Sequence, residues 1–258
     1  MKISVIIPSF NGGKYLQKAI ESFLAQDYDD KELVIFDGKS TDDSHKIIAN
    51  FQERFPQFVK WIKESDTGIS HGRNLALKHA TGDLIGFLGA DDFLHKDFFS
   101  GIAYYVKMNA EFDVLYFNSY TAGINSSFDA SAQIMMTKRN LIKHCPIGSG
   151  ESFYYRRKIF ESHKFNENNR YTMDYEFNMA LVASGQYKFA PVNIIAVFNG
   201  SYGDSVSSSL TLKQRLETVA VQLKYGKNCK EKLAIFWRKK KLVLKNLGIF
   251  LAIKNNLK

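Results

Sequence analysis

Asp91 and Asp92 stand side by side just after the apolar run Leu84–Leu88. Adjacent carboxylates repel one another unless water or a cation separates them. A hard divalent ion such as Mg²⁺ or Mn²⁺ takes one or two carboxylates and completes its shell with substrate phosphate oxygens. There it stabilises the charge that grows on a diphosphate leaving group. Other acids hold comparable places: Asp37 follows the β-rich run Glu32–Phe36, and Glu64-Ser65-Asp66 follows Phe58–Ile62. Taken singly these have a plainer explanation, because Asp is common in turns and at helix starts for local reasons. The familiar nucleotide motifs are missing. No GxGxxG occurs, and Gly38-Lys39-Ser40 is not a P-loop, since the first glycine of that motif falls on Leu33.

Periodicity predicts the elements that must carry these acids. Ile3–Ile7 reads as a buried strand ending at Pro8, and Asn11-Gly12-Gly13 as a turn. Leu16, Ile20, Phe23 and Leu24 fall at helical spacing over 14–26. Glu32–Phe36 is a second strand, and Ser40–Asp43 reads as the N-cap of a helix through Ile47, Ile48 and Phe51. Phe58–Ile62 and Leu84–Leu88 are further strands, with a helix through Leu75, Leu77 and Ala80 between them. A helix over about 95–108 and a strand Val114–Phe117 follow. Beyond 118 the pattern weakens, with short β-like runs over 133–160, a helix over 174–184 and a strand Asn193–Phe198. Residues 199–210, rich in Gly and Ser, read as a mobile loop, and basic amphipathic helix runs from 211. Alternating strands and helices mean a parallel α/β sheet with right-handed crossovers, whose ligands bind at the carboxyl ends of the strands. Pro8–Asn11, Asp37-Gly38, Glu64–Asp66 and Asp91-Asp92 should therefore gather at one edge.

With 258 residues, 45% hydrophobic and 24% charged, the chain is long enough for a full core, which excludes global disorder and low-complexity structure. Cys145 and Cys229 are too far apart to form a disulfide scaffold or a metal motif, which points to a reducing compartment. The start, MKISVIIPSFNGG, is too short in its apolar run for a signal peptide. The longest apolar candidate for a span, Leu242–Ile253, is interrupted by Lys245, Asn246 and Gly248. A cytoplasmic protein able to lie on a membrane is expected. The net charge is +9 and unevenly spread. From Lys213 to Lys258 there are 13 Lys+Arg against 2 Asp+Glu, a local +11; the rest, 22 against 24, carries −2. A basic tail suits a polyanionic partner. Leu233, Phe236, Trp237, Leu244, Leu247 and Leu251 approximate an apolar helical stripe beside Arg238–Lys241. That favours an anionic membrane surface over nucleic acid, for which no reading motif is present. A helix packed on the body with a solvated basic face is the plainer alternative.

In order and spacing, Ile3–Asn11, Asp37-Gly38-Lys39-Ser40-Thr41-Asp42, Glu64–Gly68, Arg73-Asn74, Ala80–Asp83 and Asp91-Asp92 resemble glycosyltransferase family 2, strongly over residues 1–120 and weakly over 140–200. The resemblance implies a GT-A fold, with a mostly parallel central sheet flanked by helices. It implies a domain over 1–210, with a nucleotide-binding half 1–118 and an acceptor half 119–210, followed by a basic helical segment 211–258. It further implies an inverting, metal-dependent transferase moving a sugar from a nucleoside diphosphate, typically UDP, to a hydroxyl of a bacterial surface glycan or lipid-linked oligosaccharide. Pro8, Ser9 and Asn11 would line the nucleotide pocket. Asp37 and Asp66 would contact the base, Arg73 and Asn74 the ribose or diphosphate, Asp91 the ribose or metal, and Asp92 the metal, Mn²⁺ or Mg²⁺. Carboxylates suit base N–H and ribose O–H groups, and Arg suits phosphate. The chain departs from the family pattern at Gly89, where many members carry an acid. In Tyr171–Glu176, Asp174 matches the general base and Met173 replaces the usual first acid; Glu176 is the alternative base. Glu151 and His144 are further acceptor-contact candidates, with ordinary loop roles as the plainer reading. Two rival functions stay open: a non-catalytic basic membrane module, suggested by Gly89 and Met173, and a sugar nucleotidyltransferase, which lacks its glycine-rich, Arg-containing loop here.

Overall fold

The computed structural model describes residues 1–108, 111–123, 127–144, 150–201 and 212–257. The first half alternates strand and helix: β1 (Ile3–Ser9), α1 (Leu16–Leu24), β2 (Lys31–Asp37), α2 (Ser44–Arg54), β3 (Val59–Lys63), α3 (Ile69–Leu77) and β4 (Leu84–Phe87). A two-residue strand β5 (Phe93–Leu94), α4 (Phe98–Met108), β6 (Val114–Gly123), β7 (Ser127–Asp129) and α5 (Lys138–His144) come next. Then follow β8 (Phe153–Arg156), α6 (Ile159–Ser162), α7 (Met173–Ser184), β9 (Phe189–Ser201), α8 (Leu212–Tyr225), α9 (Cys229–Lys245) and α10 (Leu247–Asn256).

The strands form one sheet in the order β3-β2-β1-β4-β8-β6-β9-β5, with β7 beside β6. β1, β2, β3 and β4 pair in parallel. β8 runs antiparallel to both β4 and β6, which makes β6 and its parallel neighbour β9 run with the first four. Six of the nine strands thus point one way. Both faces of the sheet are covered, so its strands read as continuous apolar runs rather than alternating ones. Val5, Ile7, Leu33 and Ile35 pack under α1, α2 and α4, while Ile6, Val34, Phe36 and Phe87 pack under α3, α5, α7 and α8.

The carboxyl ends of β1 to β4 meet at one edge of the sheet. Because β8 runs the other way, the turn before it (Gly150–Ser152) reaches that same edge. The weak pattern after 118 conceals several elements. α5 and β8 are one or two turns or four residues long, too short for a periodic signal. The last strand is longer than expected, with 199–201 paired to β6 rather than in a loop; residues 202–210 of that expected loop lie outside the described residues. The basic segment forms three helices, α8, α9 and α10. α8 joins the main core through Leu216, Val219, Ala220 and Val221.

Candidate active site

β1 delivers Pro8 and Ser9 to the sheet edge, and the chain then turns through Asn11, which adopts a left-handed φ of 53°. Asn tolerates that conformation better than most residues. Its side chain ties two loops together: Oδ1 accepts the Thr41 amide at 2.8 Å, and the Asn11 amide donates to Ser40 Oγ at 2.8 Å. Ser9 is buried, and its Oγ has no partner among the described residues. Phe10, between them, is 66% exposed.

Asp37 ends β2 and is fully buried. Its Oδ1 accepts Ser40 Oγ at 2.5 Å and the Ser40 amide at 3.1 Å, while Oδ2 meets His45 Nε2 at 2.5 Å. Lys63 Nζ lies 3.3 Å from His45 Nδ1. Donation from Lys63 leaves the proton on Nε2, facing the carboxylate. Asp66 accepts the Gly68 amide at 2.8 Å and folds against the Gly38 backbone. A Cβ on Gly38 would lie 2.5 Å from Asp66 Oδ2 and 3.5 Å from the Phe10 ring. The sheet edge thus brings Phe10, Gly38 and Asp66 together, beside the buried Asp37.

Asp91 and Asp92 follow β4. Asp92 is 8% exposed; its Oδ1 accepts the Gly200 amide of β9 at 2.9 Å. A Cβ on Gly89 would sit 2.5 Å from Asp92 Oδ2 and 3.0 Å from Asp91 Oδ1. The two carboxylates therefore converge in the space that a side chain at Gly89 would fill. Burial, and then the charges of Glu151 and Asp91, push the Asp92 carboxyl well above the usual range, against the Gly200 hydrogen bond. Burial pushes Asp91 up as well. Such a crowded, under-neutralised pair fits one hard divalent cation. Among the described residues no group of three His, Cys, Asp or Glu side chains converges on a metal position. An ion here would take the rest of its shell from substrate and water, as Mg²⁺ and Mn²⁺ do in phosphate-binding sites.

Arg73, in α3, is 4% exposed and bridges the two halves of the molecule. Nη1 pairs with Asp174 Oδ1, and Nη2 lies 3.6 Å from Glu151 Oε1. The guanidinium lies over Phe87 and Phe165, 4.8 and 5.3 Å from their centroids. Burial opposes its charge, but Asp174 foremost and Glu151 outweigh that, and the Arg73 pKa rises. Asn74, expected with Arg73 at the diphosphate, is engaged elsewhere. Its Nδ2 donates to the Phe165 carbonyl and Glu167, and its Oδ1 accepts the Phe165 amide. It fastens the 165–167 turn.

Asp174 and Glu176 sit in the first turn of α7 and point to different sides, since residues two apart on a helix lie about 200° round it. Asp174 faces Arg73, and Gly150 passes so close that a Cβ there would lie 2.5 Å from Asp174 Oδ2. Glu176 is buried, accepting from Asn166, Asn169 and Lys224. That arrangement makes Glu176 a fastening between α7 and α8. Met173 is buried and takes the Ser70 hydroxyl on its sulfur at 3.2 Å. His144 is the last residue of α5.

Glu217 of α8 was not visible as a site residue. Its carboxylate accepts the amides of Arg170, Tyr171 and Thr172, the residues leading into α7, at 3.1, 2.7 and 2.9 Å. These are donors that the helix start leaves without intrahelical partners. No local pattern could flag an acid 43 residues downstream of Asp174. Phe10 did carry a signal, as an aromatic at a strand's carboxyl end.

A family model described as Glycosyl transferase family 2 matches residues 4–164. A Methanococcus voltae relative, dolichyl N-acetyl-alpha-D-glucosaminyl phosphate 3-beta-D-2,3-diacetamido-2,3-dideoxy-beta-D-glucuronosyltransferase, is 27% identical over 219 residues, 76% of this chain and 66% of its own. An uncharacterized glycosyltransferase of Nostoc sp. is 45% identical over 92 residues, 36% of this chain and 29% of its own. The chain thus spans less than two thirds of these two relatives. Among solved structures, Staphylococcus aureus TarS 1-349 in complex with UDP-GlcNAc superposes with a TM-score of 0.74 at 18% identity, over 98% of this chain and 81% of that one. Glucosyl-3-phosphoglycerate synthase from Mycobacterium tuberculosis, in complex with Mn²⁺, UDP and phosphoglyceric acid, gives 0.60 at 16% identity, over 87% and 78%. The fold is GT-A. Asp37, Asp66, Asp91, Asp92 and Glu151, on strand ends and turns, and Arg73, on α3, all lie within the matched stretch, and the chain belongs to glycosyl transferase family 2.

Proposed function

We propose that this protein is an inverting glycosyltransferase, of the hexosyltransferase class, that moves a sugar from a nucleoside diphosphate to a hydroxyl of a glycan or lipid-linked acceptor. The observation that carries this reading is the chain of charged groups from Asp91 and Asp92 through Glu151 and Arg73 to Asp174, at the carboxyl edge of the sheet. It sets a diphosphate-side carboxylate pair and a candidate base on the two sides of one guanidinium. UDP is the donor nucleotide favoured, because the TarS and synthase complexes carry UDP-GlcNAc or UDP. The dolichyl-phosphate name of the Methanococcus relative supports a lipid-linked acceptor.

In this reading the exposed Phe10 ring offers a stacking face to the base, and Asp66 accepts from it. The buried Asp37 holds the loop through Ser40 and His45 and keeps one lone pair, on Oδ2, for a base N–H. Pro8, Ser9 and Asn11 form the adjoining wall, where the unpartnered Ser9 Oγ is ready to bond a ligand. Asp91 and Asp92 would hold Mn²⁺ or Mg²⁺, which neutralises charge on the departing diphosphate. Asp174 takes the proton of the acceptor hydroxyl. The hydroxyl oxygen forms its bond to the anomeric carbon from the side opposite the leaving group. The anomeric carbon–oxygen bond to the diphosphate breaks, its electron pair leaves with that oxygen, and configuration inverts. Arg73 holds the Asp174 carboxylate in place. The nucleotide half is assigned to 1–118 and the acceptor half to 119–210, with the segment 211–258 set against a membrane on the cytoplasmic side. The non-catalytic alternative rested on Gly89 and Met173; room for two carboxylates at Gly89 and a packed Met173 lend it no support.

Asp174→Asn tests the assignment. Removing a general base lowers turnover by about 10²–10⁴-fold. UDP affinity, measured by calorimetry, should change less than about twofold if Asp174 acts only on the acceptor. Loss of UDP binding in a folded variant moves Asp174 into the nucleotide pocket and refutes its role as base.

A further inference from the structure

α9 and α10 leave an apolar face without a partner. Of the 13 large apolar side chains that are exposed among the described residues, seven lie between Leu212 and Leu251. α9 buries only Ile235 and Val243. On its outer side Leu233, Trp237 and Leu244 are 56%, 56% and 59% exposed. At 3.6 residues per turn these three fall within about 40° of one another on the helix. Lys240 flanks the stripe on one side, its Nζ 4.4 Å from the Trp237 ring centroid, and Lys230 and Lys241 flank it on the other. Leu247 and Leu251, about 40° apart on α10, are exposed as well.

A second feature adjoins the stripe. Between α8 and the second half of α9 opens a cavity of about 540 Å³. Arg215, Arg238, Lys239, Lys240, Lys241 and Lys245 line it, with no carboxylate among the lining residues. This is an open groove, and cations crowded along it repel each other unless anions settle there. No helix among the described residues is long and apolar enough to cross a membrane. The face therefore suits a surface that offers apolar depth and phosphate charge together, with the helix lying in its plane. The rest of the chain, at −2, gives no comparable attraction.

We infer that the outer face of α9, with the start of α10, docks on an anionic lipid bilayer, Leu233, Trp237 and Leu244 entering the headgroup boundary and the cavity beside Arg215 and Arg238–Lys241 taking lipid phosphates. This deepens the membrane placement proposed above and rests on it. Docking by this face holds the enzyme at a fixed attitude to the bilayer. An acceptor carried on a lipid is thereby confined to the plane in which the enzyme sits.

The test is co-sedimentation of the full chain with vesicles of phosphatidylcholine alone or mixed with phosphatidylglycerol. Two variants accompany the wild type: Leu233→Ser with Trp237→Ser and Leu244→Ser, and Lys239→Gln with Lys240→Gln and Lys241→Gln. Melting temperature and transfer to a soluble acceptor serve as controls and should stay near wild type, because none of the six residues touches the active site. The wild type should bind the mixed vesicles at least tenfold more tightly than neutral ones, and each variant should lose at least tenfold. Equal binding by wild type and stripe variant overturns this face while leaving membrane association intact. No binding of wild type to either vesicle overturns the membrane placement itself. Displacement of the wild type by millimolar inorganic phosphate, or binding to RNA but not to vesicles, shows an anion or nucleic-acid site and also overturns the proposal.

Discussion

Replacing Arg73 by Met should unfold much of what joins the two halves of the site. Met keeps an apolar body against Phe87 and Phe165 but removes the guanidinium that Asp174 and Glu151 share. Arg73 is 4% exposed, so the two acids would lose their partner in a poorly solvated place. Breaking a buried ion pair by removing one member typically costs about 3–5 kcal/mol. Both carboxylates touch one guanidinium, so they lie within about 8 Å of each other; at an effective dielectric near 20 their repulsion adds about 2 kcal/mol at that limit. Partial exposure of Asp174 and Glu151, at 21% and 15%, lets water offset part of this. A net loss of about 3–5 kcal/mol at neutral pH is therefore expected. In a chain of this size that lowers Tm by about 6–20 °C. The Arg73 pKa is raised, so in the wild type its charge is present at every working pH and its contribution does not titrate there. The deficit in the variant includes the repulsion between the two carboxylates that the guanidinium no longer offsets. The double variant Arg73→Met with Glu151→Gln should recover part of it. Melting curves of the wild type and the two variants at pH 7.5 check this. A loss under about 1 kcal/mol, unchanged in the double variant, would falsify the claim that the buried Arg73 joins these two acids; that is the scale of an exposed pair.

Gly89→Ala places a Cβ 2.5 Å from Asp92 Oδ2 and drives the carboxylate pair apart; the Mn²⁺ concentration giving half-maximal transfer should rise about tenfold, a loss of about 1.4 kcal/mol. Glu217→Gln leaves one acceptor oxygen for three amides and should cost about 2 kcal/mol, the order expected for unsatisfied buried donors, with turnover falling as the entry to α7 loosens. The Glu217 pKa is raised, by burial first and against its amide donors. The folded state thus holds a proton above the ordinary carboxyl range, and wild-type stability falls as pH rises through that window. Gln does not titrate, so denaturant melts should show the gap between wild type and variant narrowing as pH rises from the ordinary carboxyl range through the raised Glu217 pKa.

The first half of the chain was legible because its signals are local. Each strand of β1 to β4 is a short apolar run stopped by its own acid or turn, and parallel topology then fixes where those ends meet. What stayed hidden depends on contacts between distant residues. Asn74 sits next to Arg73 in sequence, yet only the position of Phe165 shows that one fastens a turn while the other enters the site. Glu176 and Asp174 are two residues apart with the same chemistry, and α8 decides that one is a fastening. Glu151 gained its place because β8 runs antiparallel and returns its turn to the strand-end edge, a reversal that no periodicity encodes. The helix after Asp37 begins at Ser44, and Asp42 rather than Ser40 accepts its first amide, because Ser40 is drawn to Asp37 and Asn11.

The central claim is that Asp91 and Asp92 form the metal-assisted diphosphate site of a nucleotide-sugar donor. Thermal shift of the wild type and of Asp92→Asn, with UDP, with Mn²⁺ and with both, tests it most directly. A ligand at about one hundred times its Kd stabilises the native state by about 2.7 kcal/mol, so the wild type should rise by about 5–11 °C with UDP and Mn²⁺ together and far less with either alone. Asp92→Asn should lose most of that joint response. An equal rise with UDP alone, unchanged in the variant, would contradict the account.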